Sequence, residues 1–339
     1  MRIDVSASGA VILDKVVSCD GFISDCPIRV QTHVHKDHMS GFNSSIGVQH
    51  IIMSNPTRDL LINEFNAVLP NRSNFVGIPL NQSISHDNFQ VRLLNNGHML
   101  GSVQVEVIST DGLRCGYSGD FTWPLEEVIE VEELVLDSTY GSPDSVRKFS
   151  QEEANNRFVE LVIERLNFGP ILILAHRGTL QRAISYLDDA INEPIIASSR
   201  LFSEWQVYQK HGYGLPDILD ESTQNAKLIL SKGKYIRLFG TGDPRPTDTG
   251  NATSIKLSAY MSRFDNPVVE YSEKAFCIAL SDHADYNETL AYVHATQARR
   301  ILTDNSRGKH AVELALALKR ELGVDAQPSE NKYTREWGK

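Results

Sequence analysis

A chain of 339 residues is too long for one small module and suits one large α/β domain or two domains. Its 41% hydrophobic content supports a sizeable core, and its net charge of −10 argues against a nucleic-acid binder that grips through an overall basic surface. That charge does not exclude a nuclease whose metal ions offset local carboxylates.

Through the first third, short apolar runs alternate with turn signals: VILDKVV, IRVQTH, HIIMS, FQVRLL, VQVEVIST and LRCGYS. They read as strands of a layered sheet, the last two forming a hairpin around Asp111-Gly112. From about residue 150 the pattern changes. SQEEANNRFVELVIERL opens with Ser150 and Glu153 at capping-box spacing and predicts an amphipathic helix. PILILA then reads as a buried strand, GTLQRAISYLDDAI as a helix and EPIIAS as a strand, an alternation that implies a parallel sheet. The polar loop GTGDPRPTDTG breaks the middle region. The tail resumes the alternation with strand FCIAL, loop SDHADY, helix NETLAYVHA, strand RRILT and helix KHAVELALALKREL. There is no internal repeat.

Cys19, Cys26, Cys115 and Cys277 show no CxxC spacing and read as reduced thiols of a cytoplasmic protein. The N-terminus lacks a signal-peptide core, and no apolar run reaches the ~18 residues of a membrane span, so no membrane partner is expected.

The chemistry concentrates in QTHVHKDHMSG, where His33, His35, Asp37 and His38 fall within six positions. These side chains cannot share one face of a helix or strand. A tight loop after the strand lets alternate ones converge, with His33 and His35 on one metal and Asp37 and His38 on a second. Imidazole and carboxylate suit zinc, iron or manganese. His98 in NNGHMLGS and Asp120 in YSGDF each end a strand. A carboxylate has two oxygens and can bridge two cations ~3.5–4 Å apart. Taken alone, Asp120 reads better as a helix N-cap before FTWPLEE.

The order HxHxDH, then a single His, then a single Asp resembles the metallo-β-lactamase fold superfamily. Asp20 in SCDGF matches that family's first motif, a support for the metal loop. LVLDSTYGSP and ALSDHADY resemble motifs of the β-CASP nucleases, which carry an extra α/β cap and cleave phosphodiesters in DNA or RNA. The resemblance covers about residues 10–325 and implies an αββα metallo-β-lactamase sandwich (1–148 and 276–339) with an inserted β-CASP α/β cap (149–275). It implies two divalent metal ions, zinc or alternatively manganese. His33, His35, His98 and Asp120 would hold the first, and Asp37, His38 and Asp120 the second. Asp37 would also orient the attacking water. Asp137 and His283 match the family's cap-motif pair, and a His oriented by a carboxylate is a suitable proton donor to a departing alkoxide near neutral pH.

One position departs from the family. RNA-processing members carry a histidine where this chain has Asp304, in RRILTDNSRGKH. Asp304 is either a harder ligand to the second metal or a cap of the following turn. The layout is most similar to the bacterial DNA-repair exonuclease branch associated with ligases and helicases. The resemblance thus implies a DNA exonuclease, with DNA favoured over RNA and a helicase or ligase as partner. In the cap, His176, Arg177 and Arg182 of HRGTLQR sit where an anionic backbone can be held, or where an ordinary helix begins. The rival readings are an RNA-processing nuclease, a small-molecule metallohydrolase and a non-catalytic scaffold.

Overall fold

The computed structural model describes residues 2–65, 69–86, 88–244, 250–259 and 264–330. Two compact units divide the chain, Met1–Val146 with His283–Lys339, and Arg147–Asp282.

The first unit opens with a six-stranded sheet in sequential order: β1 (Ile3–Val5), β2 (Val11–Leu13), β3 (Val17–Cys19), β4 (Ile28–Val30), β5 (His50–Ser54) and β6 (Phe75–Ile78). The run VILDKVV, expected as one strand, is instead a hairpin between β2 and β3. Asp14 and Lys15 both take left-handed conformations, with φ of 49° and 57°, and reverse the chain there. From β3 to β6 the pairing is parallel. The helices α1 (Phe42–Val48) and α2 (Asn55–Phe65) lie against β5 and β6.

A second sheet starts with β7 (Ser83–His86), β8 (Phe89–Asn95), β9 (Val103–Ser109), β10 (Arg114–Tyr117) and β11 (Glu133–Leu136). The hairpin at Asp111-Gly112 joins β9 to β10 antiparallel, and Gly112 supplies the φ of 84° that the turn requires.

The chain then enters the second unit. Its elements are α3 (Gln151–Leu166), β12 (Ile171–Ala175), α4 (Thr179–Ser185), β13 (Ile195–Ala197), α5 (Ser199–Lys210), β14 (Leu219–Asp220), α6 (Gln224–Lys232), β15 (Ile236–Gly240), β16 (Thr253–Leu257), β17 (Val268–Ser272) and β18 (Ala275–Ile278). They build a seven-stranded sheet in the order β14-β13-β15-β12-β16-β18-β17, parallel except for β17. The Ser150 hydroxyl caps α3 by accepting from the Glu153 amide at 3.0 Å. The helix expected over GTLQRAISYLDDAI is shorter: α4 stops at Ser185 and a single 3-10 turn, Asp188–Ala190, follows. Of the polar loop 240–250, residues 245–249 lie outside the described residues.

Returning to the first unit, α7 (Tyr286–Thr296), β19 (Arg300–Thr303), α8 (Ala311–Leu322) and β20 (Asp325–Pro328) complete the second sheet, in the order β20-β19-β11-β10-β9-β8-β7. Asp285 and Glu288 form a reciprocal capping box that starts α7.

One core cluster joins the two sheets of this unit face to face, through Val11, Leu13, Val30 and Ile52 on one side and Val91, Leu93, Val105 and Val107 on the other. A second packs Tyr292, Leu314 and Leu318 of α7 and α8 onto Leu134, Leu136 and Ile301. The unit is therefore layered helix, sheet, sheet, helix, a mixed α/β architecture. Because β9 is covered on both faces, its polar residues need internal partners. Gln104 finds them, donating to the carbonyls of Asn95 and Glu127 and accepting from the Ile129 amide and the Tyr292 hydroxyl.

The close approach at Gly21 is a sharp test of this packing. A Cβ there would stand 2.4 Å from the Ala10 Cβ and 2.7 Å from its Cα, whereas one at Gly47, exposed in α1, would meet nothing within 4 Å. Gly21→Ala is expected to destabilise the protein by about 1–3 kcal/mol through overpacking. Gly47→Ala should be neutral or stabilising by up to about 1 kcal/mol. Urea unfolding of the two variants against the parent checks the opposite signs.

Candidate metal centre

The site is assembled where strands end. After β4 the chain runs through Gln31 to His35 and tightens into a 3-10 turn over Lys36–His38. Asp20, just past β3, is fully buried in a left-handed conformation with φ of 56°. Its Oδ1 accepts from the Thr32 amide at 2.8 Å and from the Gln31 amide group at 3.2 Å. Its Oδ2 accepts from the Thr32 hydroxyl at 2.6 Å and faces His38 Nδ1 at 2.7 Å. Below it, the buried Arg29 guanidinium donates to Gln31 Oε1 at 2.7 Å, to the Ser40 carbonyl at 2.8 Å and to the His38 carbonyl at 3.1 Å. Gln31 in turn donates to the His33 carbonyl at 2.7 Å. The whole loop is thus pinned from inside.

His98 follows β8 in a tight turn. Its amide donates to Asn96 Oδ1 at 3.3 Å, and Gly97 and Gly101 hold positive φ on either side. Side chains at Gly101 would strike the backbone of Thr57 at 2.7 Å, so the glycine lets α2 approach the turn. Asp120 follows β10, and Asp137 follows β11.

These ends bring the donor atoms together. His33, His35, His98 and Asp120 form a group in which one ligand atom from each lies within 4.8 Å of the others. His98 Nε2 is 3.2 Å from His35 Nδ1, and Asp120 Oδ2 is 3.8 Å from both His33 Nε2 and His98 Nε2. The other oxygen, Asp120 Oδ1, faces His38 Nε2 at 3.3 Å, and His38 Nε2 is 3.7 Å from Asp37 Oδ2. Ligands about 2.1 Å from a tetrahedral ion stand about 3.4 Å apart, so the first set has the spacing of a coordination shell, whereas Asp37 joins none of the clustered donor groups among the described residues. Asp120 turns one oxygen to the first set and the other to His38.

The donor set passes a second test. Among the described residues, buried His33 Nε2 and His38 Nε2 have no well-formed hydrogen-bond partner, His38 Nε2 meeting only Asp120 Oδ1 at 3.3 Å. Their Nδ1 atoms are already engaged, by the Thr32 hydroxyl at 3.0 Å and by Asp20. A ring whose Nδ1–H is taken leaves Nε2 as the lone-pair nitrogen, the arrangement of a metal-ligating histidine. Burial, helped by the neighbouring histidines, holds the His33 pKa well below the ordinary value, so the ring is neutral. Burial also opposes charge on His38, but Asp120, Asp37 and Asp20 outweigh it and raise its pKa well above normal. Burial would likewise push the Asp120 carboxyl up; His38, His33 and His283 hold it well below the usual range instead. The cluster attracts positive charge.

His283 stands beside this group. Its Nε2 is 4.0 Å from Asp120 Oδ2 and its Nδ1 is 3.7 Å from Asp137 Oδ2. Its ring lies against His98, with centroids 4.6 Å apart. The Ala284 amide donates to the Phe121 carbonyl at 2.7 Å, tying the His283 loop to the Asp120 loop. Asp137 itself is fixed by the Thr139 amide and hydroxyl, at 2.9 and 2.7 Å.

Asp304 is placed differently. Its Oδ1 accepts from the Ser306 amide and hydroxyl, and its Oδ2 pairs with Arg307 at 2.8 Å. Among the described residues it joins none of the groups of clustered donor atoms. Its carboxylate makes these contacts within the turn that follows β19. His176 and Arg177 lie in the second unit, at the end of β12. Arg177 pairs with the buried carboxylate of Glu204 at 2.9 Å, and Gln181 donates to the same carboxylate at 2.8 Å.

Two contributors were missed from sequence, Arg29 and Arg307. Arg307 is half-buried and donates to the Asp37 carbonyl at 3.2 Å as well as pairing with Asp304. The available signal was its spacing, three residues after Asp304 in the loop that follows a core strand.

No family model matches the chain. It is 29% identical over 140 residues to an uncharacterized protein in the lig 3′ region of Acidianus ambivalens, covering 40% of this chain and 99% of that one. It is 29% identical over 311 residues to DNA ligase 6 of Arabidopsis thaliana, covering 80% of this chain but 21% of the ligase. It is 22% identical over 215 residues to an RNase J-like protein of Methanocaldococcus jannaschii (54% and 49% covered) and 24% identical over 213 residues to cleavage and polyadenylation specificity factor subunit 3 of Dictyostelium discoideum (54% and 27%). The chain thus spans half or less of these last three relatives. A protein of unknown function from Enterococcus faecalis V583 shares the fold, with a TM-score of 0.57 and 12% identity over 81% of this chain and 74% of that one. These distant similarities agree with the β-CASP resemblance of the sequence motifs.

The support given by Asp20 generates a test. Asp20→Asn keeps the volume but removes the charge that orients His38. Affinity for Zn2+ or Mn2+, read by isothermal titration, is expected to fall about 10- to 100-fold while circular dichroism is unchanged.

Proposed function

We propose that the chain is a metal-dependent phosphodiesterase acting on nucleic acid, with the first unit as a metallo-β-lactamase-type catalytic domain and the second as a β-CASP cap. The observation that carries this reading is Asp120, a buried carboxylate with one oxygen toward His33 and His98 and the other toward His38. His33, His35, His98 and Asp120 would hold one divalent ion, and Asp37, His38 and Asp120 a second, with zinc or manganese suited to the donors. Asp304 is left to its turn. When bound, such ions activate water and offset charge on phosphoryl oxygens.

The chain's own residues supply the rest. Asp37, more than half exposed at the rim, would orient the attacking water. His283 presents Nε2 to the space shared with Asp120, while Asp137 faces Nδ1. At 3.7 Å the Asp137 contact is longer than a hydrogen bond, and such contacts tighten when substrate arrives. A proton held on Nδ1 toward the carboxylate stabilises a charged ring, whose Nε2–H can pass to the leaving oxygen. The carboxylate orients, and the imidazole donates.

DNA is the favoured substrate, with exonucleolytic cleavage, supported by the motif layout and by similarity to a DNA ligase and to a protein from a ligase region. A second reading, an RNA-processing nuclease, is favoured by similarity to the RNase J-like protein and the polyadenylation factor subunit. End-labelled single strands of matched sequence decide between them. Faster cleavage of DNA upholds the first reading, and a clear preference for RNA promotes the second. Among the described residues no helix is long and apolar enough to cross a membrane.

The role of His283 is separable from metal binding. His283→Ala is expected to retain its metal content yet lose about 10²- to 10⁴-fold in nucleic-acid cleavage. Because nitrophenolate departs without a proton, the same variant should be far less impaired on a nitrophenyl phosphodiester. An equal loss on both substrates would reassign His283 to the metal centre or to substrate binding.

A further inference from the structure

The second unit carries a surface that the proposed chemistry does not use. At the N-terminal edge of its sheet, three turns meet: Asn167–Pro170 before β12, Gly233–Tyr235 before β15, and the turn containing Asn251 before β16. They enclose a depression of about 480 Å³ whose lining includes Phe168, Lys232, Lys234, Tyr235 and Asn251. It lies at the opposite end of β12 from His176 and Arg177.

The composition of this depression is unusual for a chain of net charge −10. Phe168 is 67% exposed, a large apolar cost for a position that only ends a helix. Its ring is not adrift. The Arg165 guanidinium lies over its ring, 5.8 Å from the centre, and over the Phe276 ring at 4.6 Å. One face of this aromatic ring is therefore backed by a cation. Lys232 and Lys234 flank it, both exposed, and neither makes an ion pair or side-chain hydrogen bond among the described residues. Tyr235 adds a second aromatic side chain, half-buried in the wall.

Lysines unpaired among the described residues, beside an exposed ring with a cation over it, match one chemistry. Lysines meet phosphates, and an aromatic face meets a base, in any sequence. An acidic peptide would use the lysines but gain nothing from the ring, and an apolar partner would bury two unpaired ammonium groups. We propose that this depression is a binding station for single-stranded nucleic acid, with Lys232 and Lys234 on successive phosphates and a base stacked on Phe168. The proposal rests on the nucleic-acid reading above and adds to it a contact outside the metal centre.

The test is binding of a fluorescein-labelled single-stranded oligonucleotide, followed by anisotropy across a salt series in the presence of chelator so that nothing is cleaved. For Lys232→Gln with Lys234→Gln, the slope of log affinity against log salt should become shallower by about 1.4, since a single strand contributes about 0.7 per phosphate neutralised. Phe168→Ser should weaken binding about 5- to 150-fold, with little change in slope. Nitrophenyl phosphodiester hydrolysis by the metal-loaded variants should match the parent, because none of these residues belongs to the metal centre. If the parent binds the oligonucleotide and the variants bind equally well, with equal slopes, this surface is not a station, although the nuclease reading stands. A lysine effect without a Phe168 effect contradicts the stacking and overturns the proposal. Failure of the parent to bind overturns this surface, while cleavage of the labelled strand by the metal-loaded parent decides the nucleic-acid reading separately.

Discussion

The structure of the site depends on the buried carboxylate of Asp20. Held in a left-handed backbone conformation just beyond β3, it accepts hydrogen bonds from the Thr32 amide, the Thr32 hydroxyl and Gln31 and also engages His38 Nδ1. Each contact removes a freedom from the loop that carries His33, His35, Asp37 and His38. A short loop left to itself would turn four polar side chains to water, as loops generally do. Here the backbone is gripped from the core side, by Asp20 and by the Arg29–Gln31 pair beneath it, and the imidazoles are left facing Asp120. Gly21 allows the chain to pass tightly against Ala10 immediately after this grip is made.

The electrostatic consequence follows from burial. Histidines and a carboxylate have been drawn out of water into one space, where, among the described residues, His33 Nε2 and His38 Nε2 lack a well-formed hydrogen bond. Burying unpaired polar atoms is costly unless something satisfies them. Protons can do part of this, as the raised pKa of His38 indicates, and cations can do it fully. The arrangement has the economy of a binding site and not of a core. Around its margin, Arg307 and Asp304 neutralise each other and leave the remaining carboxylates to face the histidines. A full positive charge held close to Asp37 thus stabilises the loop through its carbonyl without displacing the donor atoms.

Much of this was legible in the sequence because it was local. HxHxDH, NNGHMLGS and YSGDF each place a donor at a strand end, and the strands themselves alternate clearly in FQVRLL and VQVEVIST. Ser150 signalled its helix through spacing alone. What escaped was non-local or brief. The turn at Asp14–Lys15 hid inside an apolar run because neither residue is a glycine, yet both adopt positive φ. The strands β1 and β7 are only three and four residues long, too short for a periodic signal. Arg29 looks like an ordinary polar residue in an apolar strand, and only the fold shows that it sits under the metal loop. The contact of Asp304 with Arg307, three residues on, emerges only in the fold. The depression around Phe168 joins three turns far apart in sequence, and no window along the chain would have collected them.

The central claim is that Asp120 divides two sets of donors, each able to hold a divalent ion. Anomalous scattering from crystals grown with zinc, collected on both sides of the zinc absorption edge, tests it directly. The account predicts a peak among His33, His35, His98 and Asp120, and, at sufficient zinc, a second among Asp37, His38 and Asp120 that leaves Asp304 bonded to Arg307. Crystals saturated with zinc that show no peak within coordination distance of Asp120, with the histidines satisfied by other protein groups, would contradict it.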